Sequence, residues 1–205
     1  LIAPRKLHST QWGYICPSET PEGHSIGVIK NLSMMSEITQ DIPTHHFIDF
    51  ITEHILDHTK VDLYQFNKRQ FVKVFLNGDW IGYVQKPKEF VQGFRDKRER
   101  GCIHPQVSIT WDIMNMCILI FSDGGRFTRP LLRSSGLSDS WDFKDKSWGE
   151  IVTPGDKEKG LLDYIDTHEI NDILIGNSFH DHHTKTHCEI HPALILGTMA
   201  SCIPF

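Results

Sequence analysis

Several absences narrow what this 205-residue sequence can do. Its five cysteines, Cys16, Cys102, Cys117, Cys188 and Cys202, are odd in number and never form a CxxC pair. That argues for a reducing compartment, and against a disulfide framework or a thiolate zinc knuckle. No apolar run approaches the ~18 residues that a membrane span needs, and no secretory signal pattern is read at the start. Positive charge is in deficit: the net charge is −5, the wrong sign for a free-standing nucleic-acid binder. A few nucleic-acid contacts inside a larger assembly remain compatible with it. There is no HExxH and no Gly-rich phosphate loop, because Gly124-Gly125 precedes a strand rather than a helix. No repeat or low-complexity tract is present.

What is there is globular, with 39% hydrophobic and 23% charged residues. A chain of this length buries roughly 70% of its unfolded surface, enough for one ordinary core or two small ones. It opens on Leu1 and stops on Cys202-Ile203-Pro204-Phe205, which reads as a piece of a longer protein.

The stretch that organises the sequence is His8 to Leu32. Thr20-Pro21-Glu22-Gly23 fits a type I turn, and equally a helix start with Thr20 as N-cap and Pro21 as first helical residue. In either case the backbone is pinned, and Glu19, Glu22 and His24 project from a rigid turn. Residues 1–17 read as extended, with Arg5, Lys6 and His8 giving local positive charge. Ile26, Val28, Ile29, Leu32 and Met35 read as a short buried segment.

Phe47, Ile48, Ile51 and Ile55 then follow at helical spacing, predicting an amphipathic helix over 45–57 capped by Thr44. Asn77-Gly78 between two β-rich runs, 71–76 and 79–84, predicts a hairpin with a type I′ turn. Residues 88–100 predict a helix ended by Gly101, with Phe90, Val91 and Phe94 inward. Its basic residues Arg95, Lys97, Arg98 and Arg100 read as a solvated face. Strands are predicted at 107–109, 117–121, 126–132, 161–165 and 173–175, and Pro192 opens an apolar helical run over 193–200. Residues 134–160 are polar and turn-rich, a domain seam or variable loop with Trp141 and Trp148 as anchors. The fold class is mixed α/β.

Candidate chemistry is thin. His180, His182, His183, His187, Cys188, Glu189 and His191 are metal-ligating types, but their spacing lacks two separated ligand pairs. His54 and His58 share a helix face, where a solvent-facing pair is the commoner case. Cys16 with His8 or His24 offers a Cys-His nucleophile with no oxyanion-hole signature. Glu19 and Glu22 could form an acid–base pair, with no means of judging their separation. Residue chemistry alone names no reaction.

Four collinear motifs add what spacing cannot. Arg5, Leu7, His8, Trp12, Gly13, Cys16, Pro17, Glu19 to Gly23, Gly27, Lys30, Asn31 and Leu32 fall in register with R-x-L-H-x-x-x-W-G-x-x-C-P-x-E-T-P-E-G-x-x-x-G-L-V-K-N-L. Three more follow in order: Phe75 to Gly82, Ile120 to Leu131, and Thr186-His187-Cys188-Glu189-Ile190-His191-Pro192 on to Phe205. Together they resemble the second-largest, β-type subunit of multisubunit DNA-dependent RNA polymerases, in its eukaryotic and large-DNA-virus branch. The resemblance implies a fragment made of fork-region and external-domain segments with β-hairpins and short helices. Residues 1–40 would be a fork-region segment, 41–133 a first external domain, 134–185 a shortened second one, and 186–205 the start of the hybrid-binding region. The short 134–185 segment leans towards a large DNA virus.

The implied activity is template-directed RNA synthesis, as part of a nucleotidyltransferase whose isolated fragment would be inactive. Catalytic Mg²⁺ and the family's zinc site would be held outside this chain, and none of its residues is assigned a catalytic or metal-binding role. The residues implied near the active centre and the RNA–DNA hybrid are Glu22, His24, Glu19, Gly23 and Arg5. The family often has Gln where this chain has His24, and imidazole can take up a proton where an amide cannot. Implied partners are the largest and other polymerase subunits, template DNA, transcript and ribonucleoside triphosphates, with no membrane. The location would be the nucleus if cellular, and a cytoplasmic factory, virion or host nucleus if viral. Two rival readings are a protein-interaction scaffold without activity, and a His-rich metal-dependent hydrolase.

Overall fold

A computed structural model describes residues 2–56, 71–136, 160–177 and 183–203, with positions 147, 149 and 151. The partner of His54 at position 58, the anchors Trp141 and Trp148, and His180 and His182 lie outside the described residues.

Two sheets carry the chain. The first has four strands, β2 (Val72–Leu76), β3 (Asp79–Val84), β4 (Ser108–Asp112) and β5 (Cys117–Phe121), in the order β3-β2-β5-β4. β2 and β5 run parallel, with Val74 opposite Ile118, and the other pairs are antiparallel. Period-2 alternation turns Val72, Val74, Ile109, Ile118 and Ile120 to one face, where all are buried. Helices α1 (Ile48–His54) and α2 (Pro87–Glu99) contribute Phe47, Ile51, Phe90, Val91 and Phe94 to the same core. Phe50 stacks on Phe90 at 5.7 Å between ring centres.

The second sheet has five strands: β1 (Glu37–Ile38), β6 (Phe127–Arg133), β7 (Leu162–Asp166), β8 (Ile175–Gly176) and β9 (His187–Cys188). β6 pairs antiparallel with β7, and also with β1 near its start and β9 at its end. The sheet therefore takes one strand from residues 1–40, one from 41–133, two from 134–185 and one from 186–205. A smaller apolar cluster, Leu132, Ile151, Leu161, Leu162 and Cys188, lies against it.

Local chemistry explains the element ends. Asn77 and Gly78 both have positive φ (51° and 91°), as a type I′ turn requires. The Asn77 side chain also reaches Ser122, accepting its N–H at 2.8 Å and donating to its hydroxyl at 2.9 Å. Helix α2 ends at Gly101 in a Schellman motif: Gly101 N–H bonds the Arg98 carbonyl and Cys102 N–H the Lys97 carbonyl.

Five expectations change. Residues 3–5 and 9–11 form 3₁₀ turns rather than extended chain, the first carrying Pro4 near its start. Thr44 begins a 3₁₀ turn instead of capping α1, whose N-cap is Phe47 with no side-chain bond. The apolar run 193–200 breaks at extended Gly197 into a 3₁₀ turn (Pro192–Ile195) and a four-residue helix (Thr198–Ser201). Ile26, Val28 and Ile29 are about half exposed and Leu32 is exposed too, because the loop that bears them is held by polar staples rather than by burial.

The fifth change concerns the basic face of α2. Arg98 lies on the apolar stripe, four residues beyond Phe94, and is buried. Its guanidinium grips Glu169 (2.7 and 2.8 Å) and Asp163 (3.1 Å), and donates to the Val107 carbonyl (2.9 Å). Arg95 pairs with Glu169 and Asp172, while Arg133 of β6 pairs with Glu99 of α2. An ionic belt thus fills the space between the two apolar clusters. Lys97 lies over an aromatic ring, 5.0 Å from the centre of Phe50.

Candidate functional site

Residues 13–34 build a loop whose stem is closed by polar bonds. Ile15 and Leu32 form an antiparallel bridge, flanked by Cys16 N–H to Asn31 O (2.9 Å) and Ser33 N–H to Tyr14 O (3.1 Å). Within the loop, Thr20 is the staple. Its hydroxyl accepts the Gly27 N–H (2.8 Å) and donates to the Ile29 carbonyl (3.1 Å). The helix-start reading of Thr20 is not realised: no helix starts there, and the side chain crosses the loop instead. Arg5 braces it from outside, donating to the Ile26 carbonyl at 2.8 Å. Gly27, at φ +70°, has no room for a Cβ, which would fall 2.3 Å from the Arg5 carbonyl oxygen.

The five residues singled out by sequence divide over this frame. Glu22, Gly23 and His24 are exposed at the crown, with Gly23 at φ +90°. Glu19 is half-buried at the stem; its Oε2 is buried against Gly197, with no hydrogen-bond partner among the described residues. Glu19 and Glu22 thus occupy different environments. Arg5 belongs to the loop's base. Cys16 is buried with its Sγ accepting the Glu19 N–H, and His8 is bonded to Thr10.

The histidine-rich segment has other commitments. His187 is buried on β9, its Nε2 3.5 Å from Asp163. Glu189 pairs with Arg129, and His191 accepts the Ala193 N–H to cap the 3₁₀ turn. Among the described residues, no three His, Cys, Asp or Glu side chains converge to hold a metal ion.

Sequence reasoning missed the buried polar network beneath the loop. Tyr14, fully buried, directs its hydroxyl at the Asp166 and Ile165 carbonyls (2.9 and 3.1 Å), and burial raises its pKa well above the ordinary phenol range. The Asp166 carboxylate accepts from Ser108 (2.6 Å), Arg126 (2.8 Å) and the N–H groups of Glu169 and His168 (2.8 and 3.0 Å). Burial alone would raise its pKa; the bonds from Ser108, Glu169 N–H and Arg126 outweigh it and hold the carboxyl below the usual range. A signal for the network was available. Arg129 and Arg133 interrupt the mostly apolar strand Phe127–Arg133, and the strand that pairs with its residues 128–132 carries Asp163 and Asp166.

A polar cavity of about 420 Å³ opens over the ionic belt, lined by Arg95, Glu99, Arg133, Asp163, Glu169 and His187 among others. Its guanidinium groups face carboxylates of the same wall, so the charges serve cohesion.

The sign of the Asp166 shift gives a pH prediction. A depressed folded-state pKa contributes stability that is present above the unfolded value near 3.8 and is lost as pH falls below it. Asp166→Asn should cost about 1–3 kcal/mol at neutral pH. The gap to the parent should narrow below about pH 4 in urea titrations; a gap constant with pH would show that the carboxylate's charge is immaterial.

Comparison with known proteins gives two family matches: RNA polymerase Rpb2, domain 3, over residues 1–38, and RNA polymerase Rpb2, domain 4, over residues 74–134. The chain is similar to the RNA polymerase II subunit RPB2 of Schizosaccharomyces pombe, at 32% identity over 260 aligned residues, covering 100% of this chain and 21% of that protein. RNA polymerase II subunit 2 of Arabidopsis thaliana is 32% identical over 229 residues, covering 100% of this chain and 19% of its own length. The polymerase subunit Rpo2 of Sulfolobus acidocaldarius is 31% identical over 220 residues, covering 98% of this chain and 19% of its own. The chain spans about a fifth of the length of these relatives.

Proposed function

Because the chain belongs to the family of second-largest subunits of DNA-directed RNA polymerases, we propose that it works as part of such an enzyme, in template-directed RNA synthesis. The observation that carries the reading is the similarity along the whole or nearly the whole chain to subunits named for that activity. Partners on this reading are the largest and other polymerase subunits, the template, the transcript and ribonucleoside triphosphates. The division into a fork-region segment (1–40), two external domains (41–133 and 134–185) and a hybrid-binding entry (186–205) is part of the proposal. The separate family match on 1–38 supports reading the first segment as a unit.

Among the described residues no three His, Cys, Asp or Glu side chains converge to hold a metal ion. On this reading, the Mg²⁺ and zinc of such an enzyme are held by residues outside this chain. Among the described residues no helix is long and apolar enough to cross a membrane. A nuclear setting matches the RNA polymerase II relatives; none of the relatives named above is viral, so the viral reading rests on the short 134–185 segment alone.

For the site, the proposal is that Glu22 and His24 form one wall of the path of the RNA–DNA hybrid. Both are exposed on a stapled loop, so the rest of the path would come from other polypeptide. A carboxylate on a stiff loop repels phosphate and sets position without trapping the strand, which suits a duplex that must advance one step per cycle. Residues 41–185 carry a scaffold role, since their buried charges are turned onto one another. Glu22→Ala in the intact polymerase should change elongation or pausing severalfold while leaving template affinity nearly unchanged. Unaltered elongation kinetics would count against the loop.

A further inference from the structure

The loop is held to the body of the chain at few points, and one side chain reaches both parties. Arg129 of β6 is buried, as is Glu189. Its Nη1 donates to both carboxylate oxygens of Glu189, at 2.8 and 2.7 Å. The guanidinium carbon lies 5.4 Å from the centre of the Tyr14 ring, close enough for cation–π attraction. On Gly13 it presses directly. A Cβ there would fall 2.3 to 2.6 Å from Arg129 Cζ, Nη1 and Nε, and Gly13 stands at φ +77°. Glycine is thus needed at 13 twice over, for the backbone and for the arginine.

The segment that begins at Glu189 grips the loop again further on. Met34 N–H bonds the Leu196 carbonyl at 2.9 Å. A Cβ on Gly197 would meet Glu19 Oε2, the Leu32 carbonyl and Cys16 Cβ, so the stem packs flat on that glycine. Residues 189–197 therefore hold both strands of the loop stem, through Arg129 at one end and by backbone at the other.

We propose that Arg129 is a positioning residue for the loop: it sets where the Glu22–His24 crown stands relative to the segment 189–197. Movement of either element is thereby passed to the other. The inference rests on the loop reading given above for its consequence in transcription, but its structural content is independent of that reading. Lysine does not reproduce this arrangement: its ammonium can still reach the Glu189 carboxylate, but it is a point charge with no planar group to fill the space between Gly13 and the Tyr14 ring.

The test is hydrogen exchange on the assembled polymerase carrying the full-length subunit, read at the amides of Cys16 and Ser33 that close the stem. Arg129→Lys and Gly13→Ala should each speed exchange there by about tenfold or more, the loss expected for a charged hydrogen bond. Arg133→Lys, a buried arginine of the same strand that faces Glu99, should not. Equal acceleration in all three variants, or acceleration spread evenly over the chain, would overturn the proposal by making Arg129 merely structural. Elongation assays separate the two readings. If Arg129→Lys loosens the stem while neither it nor Glu22→Ala alters elongation, the clamp stands and the loop's role in transcription falls. If Glu22→Ala alters elongation and Arg129→Lys leaves the stem protected, the loop's role stands and the clamp falls.

Discussion

Arg98→Ala should destabilise the fold by about 3–5 kcal/mol at neutral pH, the usual result of removing one partner from a buried ion pair. Asp163 and Glu169 would be left enclosed with their main cation gone, and the Val107 carbonyl would lose its donor. Arg98→Met restores much of the volume without the charge. It should cost nearly as much, which identifies pairing rather than packing as the cause. A near-neutral Arg98→Met would sink that attribution.

The pH dependence supplies a second signature. In the parent, burial raises Asp163, but Arg98, His187 and Arg133 outweigh it and hold the carboxyl far below the usual range. Without Arg98, desolvation dominates and the folded-state pKa values of both carboxyls rise. A raised folded-state value means protons bind more tightly to the folded form, so stability is regained as pH falls. The deficit of the variant at pH 7 should therefore shrink towards about pH 4 in denaturant titrations. Replacing Arg98, Asp163 and Glu169 together by apolar residues should cost much less than the single change, because no uncompensated charge remains.

Phe94→Ala should cost about 3–5 kcal/mol, the range for removing a fully enclosed aromatic ring from a core. Phe94 lies on α2 with no exposed surface, edge-on to Phe47 and 6.0 Å from Phe50. Those neighbours come from α1 and the turn before it, so the cavity opens where both helices meet the four-stranded sheet. The effect should appear as a lowered urea midpoint with an unchanged slope. A loss below about 1 kcal/mol would mean that the site collapses freely and that α1 is only loosely packed.

Set side by side, these two variants mark the limit of what pattern could reveal. Phe94 was legible because apolar residues at helical spacing face inward in nearly any context. Arg98 occupies the same stripe, yet a cation on a helix reads as solvated until the carboxylates that meet it are known. Those lie 65 and 71 residues away, and no local preference anticipates them. The hairpin at Asn77-Gly78 and the stop at Gly101 were equally legible, since each needs a left-handed residue that the sequence supplies. The segment 26–32 misled for the opposite reason. Its apolar residues imply burial, whereas the loop that carries them is stapled by Thr20 and leaves them half exposed.

By itself, then, the order of residues determined helix α2, most of the longer strands, the turns at Asn77-Gly78 and Gly101 and, through four collinear motifs, the family. Short-range sterics and hydrophobic periodicity act within a few residues, and motifs are read in order, so all of this is local or linear information. Only the tertiary structure decided that Arg98, Arg126 and Arg129 are internal ties, that Gly13 exists to admit a guanidinium, and that the opening loop is fastened to residues 189–197. Each of those depends on groups distant in sequence meeting where water is excluded, and there a charge is stable only with its partner in place.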